Sequence, residues 1–92
     1  MSNFVIATAA RLAAENYTGK PCMVDNRSSK LGVAYEIATS GIGEGSARIA
    51  RVYMDGHVEW CVTGYIPRDF DERMAAVMRN LMPTAQRVAA SW

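Results

Sequence analysis

The residues of this chain that could do chemistry are few and scattered. It has one histidine, His57, and two cysteines, Cys22 and Cys61. A nucleophilic site needs a nucleophile beside an oriented base, and a zinc site needs several convergent ligands. His57 with Glu59 supplies too few groups for either, and no Ser-His-Asp order can be assembled around a single turn histidine. Neither cysteine has an evident base, and no C-x-x-C spacing links them. Carboxylates stand singly or gather at Asp69, Asp71 and Glu72, where a helix is expected to begin. The run Gly41-Ile42-Gly43-Glu44-Gly45 lacks the spacing of the dinucleotide fingerprint and the G-K-S/T of a phosphate loop. It also carries an acid and precedes a strand, so a flexible connector is expected there. The expectation is a protein that is not an enzyme, with no cofactor, no metal and no small-molecule substrate.

What remains is binding chemistry. The positive set is eight Arg against two Lys. Arg makes planar, forked contacts to carboxylates and phosphates and is favoured at interfaces. Arg48, Arg51 and Tyr53 fall in one short stretch, Glu59 follows soon after, and Arg27 stands near an earlier strand end. These five are the candidate binding residues. Arg with an aromatic ring suits stacking on bases and contact with phosphates, whereas Glu59 opposite Arg51 would neutralise it. A net charge of +1 gives little whole-molecule steering toward nucleic acid. A second set, Arg68, Arg73, Arg79 and Arg87 beside Met74, Met78 and Met82, lies on the expected last helix, where the Met stripe reads first as core.

The elements that position these residues are legible from pattern. Asp55-Gly56 joins two strand-like runs, a strong hairpin signal. A two-residue loop would mix Arg51 among apolar neighbours. A three-residue loop, with a type I turn on Met54-Asp55 and Gly56 left-handed, sets Arg51 opposite Glu59, Val52 opposite Val58 and Ala50 opposite Trp60. A one-residue slip moves every side chain of a strand to the other face, and the second register is the expected one. It puts Arg48 with Ala50, Val52, Val58 and Trp60, and puts Ile49 with Arg51, Tyr53, His57 and Glu59.

Ser2 or Asn3 caps a helix expected from Phe4 to Tyr17, closed by Gly19 and Pro21. Its apolar positions are Val5, Ala9, Leu12, Ala13 and Tyr17, with Thr8, Arg11 and Glu15 on another side. Strands are expected over Cys22–Arg27 and Gly32–Thr39. The last helix begins near Phe70, with Asp69 and Glu72 as a capping box. Pro83 is expected to kink or break it near Met82. The whole is one α+β domain over residues 1–92, in the order α-β-β-β-β-α. Short connections favour an antiparallel four-stranded sheet with both helices on one face.

No apolar run approaches the ~20 residues of a membrane span, and Phe4 to Ala10 lacks the basic flank of a secretory signal. A reduced, cytoplasmic protein is expected. In its length, its single compact domain and its want of catalytic chemistry, the chain resembles the small inhibitors carried by bacteriophages, in particular anti-CRISPR proteins. That resemblance implies a phage protein in the host cytoplasm, binding a multisubunit RNA-guided surveillance complex and blocking target DNA recognition, with direct contact to guide RNA possible. Two other classes fit the same residues. One is a small nucleic-acid-binding regulator using the Arg-bearing sheet face, and the other is a dimeric structural or chaperone subunit.

Overall fold

The computed structural model describes residues 2–26, 30–39, 47–62 and 64–91. The elements are α1 (Asn3–Thr18), β1 (Cys22–Asp25), β2 (Val33–Thr39), β3 (Arg48–Tyr53), β4 (Val58–Trp60) and α2 (Phe70–Ala90). The strands form one antiparallel sheet in the order β1-β2-β3-β4. This is the expected α+β arrangement. The expected connector over residues 40–46 lies outside the described residues, as do Arg27 and the turn after it.

α1 starts where Ser2 Oγ accepts the Val5 N–H at 3.3 Å. It stops where Gly19, at φ 69°, donates its N–H to the Glu15 carbonyl. The buried residues are Ala7, Thr8, Ala9, Ala10, Ala13 and Ala14, a wider stripe than a single apolar face. The cause is that α1 packs on the sheet at β1, β2 and β3 and on α2 as well. Alanines let both partners approach closely. Thr8, expected on the polar side, is buried, and its hydroxyl is satisfied by donating to the Phe4 carbonyl at 2.8 Å. Glu15 ties the helix to the sheet by accepting the Cys22 N–H at 2.9 Å.

α2 runs unbroken from Phe70 to Ala90 through Pro83, so of the expected kink or break, the break does not occur. Pro83 is exposed, on the side where helices curve outward and carbonyls tilt toward water. Phe70, Met74 and Met78 before it and Ala85 after it are buried and keep both halves packed as one continuous helix. The expected capping box is also absent. Asp69 makes no side-chain cap bond and pairs instead with Arg73 Nε at 2.8 Å. The Met stripe is core, as Met74 and Met78 show.

Two β-bulges interrupt the β2–β3 ladder. Val33 pairs with Tyr53 and Tyr35 with Val52, leaving Ala34 extra. Ile37 pairs with Ala50 and Ala38 with Arg48, leaving Ile49 extra. An extra residue shifts the in-out alternation by one beyond it. Ile49 and Ala50 are therefore both buried, and Arg48 is exposed.

Candidate interaction face

Both helices lie on the side of Ile37, Ala50 and Val52, and Trp60 meets Phe70 edge-on at 6.3 Å there. The opposite side of the sheet carries the candidate residues. The β3–β4 pairing is Ala50 with Trp60, Arg51 with Glu59 and Val52 with Val58, the three-residue-loop register. Gly56 stands at φ 95°, and its N–H closes the turn on the Tyr53 carbonyl at 2.9 Å.

A charged row crosses all four strands through Asp25, Glu36, Arg51 and Glu59, each opposite the next. Arg51 sits at its centre. Its Nε reaches Glu36 Oε2 at 3.3 Å and its Nη1 reaches Glu59 Oε1 at 3.2 Å. The bulge at Ile49 turns Arg48 outward, where its Nε meets the same Glu36 oxygen. Arg48 was expected on the Ala50 face; the extra residue is what moves it. The Tyr53 hydroxyl donates to Glu59 Oε1 at 3.1 Å. The Tyr53 ring stacks on His57 at 4.2 Å between centroids and 7° between planes, with the Lys30 ammonium 5.8 Å from its centroid. His57 is fixed in turn by Asp55 Oδ1, 2.6 Å from Nδ1, which also accepts the His57 backbone N–H.

The electrostatics follow from these bonds. The hydrogen bond to Glu59 raises the Arg51 pKa, against some desolvation. Bonds from Arg51 and then Tyr53 hold the Glu59 carboxyl below its usual range. The backbone N–H of His57, then its ring, does the same for Asp55. Burial pushes the thiols of Cys22 and Cys61 up, partly countered by the Thr18 hydrogen bond at Cys22 and by the charge of Arg51 at Cys61. Both cysteines are free.

Of the five candidates, Arg48, Arg51, Tyr53 and Glu59 come together on one face, and Arg27 lies outside the described residues. Glu36 and His57 were not among the candidates. In the sequence Val33, Tyr35 and Ile37 alternate with Ala34, Glu36 and Ala38, which separates Glu36 from the apolar face, and the three-residue hairpin loop sets His57 opposite Tyr53, so the signal for both was in the pattern. Among the described residues, no group of three or more His, Cys, Asp and Glu could hold a metal ion. No helix there is long and apolar enough to cross a membrane. No family model, curated protein or solved structure matches the chain.

Proposed function

We propose that the chain is a non-catalytic binding protein that docks through the sheet face centred on Arg51. Its partner on this reading is a protein or ribonucleoprotein, and in the specific form an RNA-guided surveillance complex whose recognition of target DNA it blocks. The face carries the reading. Neither helix covers it, and Arg48, Arg51 and Tyr53 are already held in place by Glu36 and Glu59. Side chains ordered before docking lose less freedom on binding, and Arg and Tyr are enriched among the anchors of interfaces. The inhibitor identity is supported by the resemblance in size and single-domain build.

The internal pairing bears on the kind of partner. Two arginines here face two glutamates, so a bare phosphate would have to displace a carboxylate to gain the guanidinium. A protein surface of mixed charge can extend the same network instead. Electrostatic complementarity of that sort gives specificity more than raw affinity. Contact with guide RNA is then secondary to contact with protein.

The test is titration of the purified protein onto a purified RNA-guided surveillance complex, with target-DNA binding followed by gel shift. Stoichiometric capture and loss of target binding are expected. Arg48→Glu should weaken capture by about tenfold or more, equivalent to ~1.4 kcal/mol. Arg87→Glu, on the exposed flank of α2, should leave it unchanged. Absence of capture removes the inhibitor reading. Salt-dependent binding to bare RNA or DNA would move the assignment to a nucleic-acid-binding regulator.

A further inference from the structure

β4 is the outermost strand of the sheet, and its free side adjoins an apolar groove. Tyr53 donates its N–H to the His57 carbonyl at 2.9 Å, and Cys61 donates to the Ile49 carbonyl at 2.7 Å. Residues 57, 59 and 61 therefore turn their backbone groups toward β3, and in an antiparallel ladder the residues between them turn theirs away. The N–H and C=O of Val58 and Trp60 thus point off the edge, with no partner among the described residues. Proteins usually blunt such an edge with proline, lysine or a covering segment. β1, at the other edge, follows Lys20 and Pro21, whereas β4 reads Val-Glu-Trp and has neither residue.

The groove lies between β4 and α2, open to solvent, with a volume of about 430 Å³. Ile6, Trp60, Met78 and Met82 line it, and Asp71 and Arg79 stand on its rim. Both rim charges are exposed, and neither has an ion-pair partner among the described residues. The edge-on contact of Phe70 with Trp60 puts Asp71 at the Trp60 end. Arg79 follows two turns later, ~12 Å along the helix at 1.5 Å per residue.

We propose that this edge and groove receive an extended segment of a partner protein, added antiparallel to β4 as a fifth strand. Backbone bonds to Val58 and Trp60 would supply affinity independent of sequence, and alternate side chains would supply selection. Apolar residues of the segment enter the groove, flanked by a basic residue at the Asp71 end and an acidic one at the Arg79 end. A basic residue on its other face lies opposite Glu59. A second copy of this chain fits the edge less well, because two β4 strands paired about a two-fold axis would set Glu59 against Glu59, a like-charge pair. The groove lies on the other side of the sheet from Arg51, the segment meets the Arg51 face only at Glu59, and the proposal does not rest on the function proposed for that face.

The probe is the peptide acetyl-Lys-Thr-Val-Lys-Val-Thr-Glu-amide, titrated into the intact protein with backbone amide shifts read by NMR. Saturable binding is expected, with the largest shifts at Val58 and Trp60. Val58→Pro removes an outward N–H and no bond to β3, and proline is tolerated on edge strands. It should weaken the peptide by tenfold or more at unchanged melting temperature. On the wild-type protein, a peptide N-methylated at its central Lys and both Val residues should show the same loss, so the comparison stands even if Val58→Pro does not fold. Arg79→Glu should weaken the peptide ending in Glu and strengthen one ending in Lys. No saturable binding overturns the proposal, as does binding indifferent to both backbone changes. A dimer that forms at rising protein concentration and is lost in Val58→Pro would place a second copy on the edge and overturn it as well.

Discussion

At the scale of single residues, the sheet face is a network in which each charge is set by its neighbours. Glu59 accepts from Arg51 and Tyr53, and Asp55 accepts twice from His57. Both carboxyls hold their protons less readily in the folded chain than in the unfolded one. Their contribution to stability is therefore complete above the ordinary carboxylate value of about 4. It is lost as pH falls through the depressed folded values, because the unfolded chain then takes up more protons. The melting temperature should drop on acidification below about pH 4, and Glu59→Gln should flatten that drop. An unchanged slope in the variant would mean that the bond from Arg51 contributes nothing to folding. Arg51 and Glu59 were legible as a pair because the turn chemistry of Asp55-Gly56 sets the register of two adjacent runs. Glu36 was harder to place, since its partner depends on the register of β2 with β3 across residues 40–46, which turn rules do not reach.

At the scale of elements, the sequence signals held where local chemistry decides and failed where packing overrides it. Ser2 and Gly19 end α1 where capping rules place them. The alternation of Tyr35, Glu36 and Ile37 along β2 survives beyond the bulge at Ala34, and the hairpin register survives whole. The helix break at Pro83 did not occur, because buried groups on both sides of the proline keep α2 continuous. Asp69 did not cap, because an i,i+4 bond to Arg73 takes its carboxylate. Continuity past Pro83 has a cost that can be measured. Proline removes one helical hydrogen bond and crowds the carbonyl four residues earlier, at ~3 kcal/mol in a helix interior. Pro83 is exposed and touches nothing that Ala would lose from the core. Pro83→Ala should thus raise the urea-unfolding free energy by ~1 kcal/mol or more. A neutral or destabilising result would show that the helix already relieves the strain by bending.

At the scale of the whole molecule, the fold closes through its ends. The first helix packs between the sheet and the last one, and the alanines of α1 are covered only when α2 is in place. The Cα radius of gyration is 12.4 Å, close to the ~12.3 Å of a single folded unit of this length. Removing residues 67–92 should therefore abolish cooperative thermal unfolding, and a sharp melting transition in the truncated chain would contradict this account of the core. The order and pairing of the elements were readable because they follow from periodicity and short connections. The two bulges were not, since an extra residue in a strand leaves no mark in composition. The bulge at Ile49 also decides which changes of chain length β3 can absorb. Ile49 is the residue that the β2 ladder does not count. A chain lacking it would regain plain alternation, with Arg48 still outward and Ala50 still inward, at the loss of one buried side chain. Loss of Arg51 or Val52 would instead reverse the faces of everything on one side of the gap. Within the middle of this strand, only loss of Ile49 or of its buried neighbour Ala50 shortens the chain and keeps Arg48, Arg51 and Tyr53 on one face.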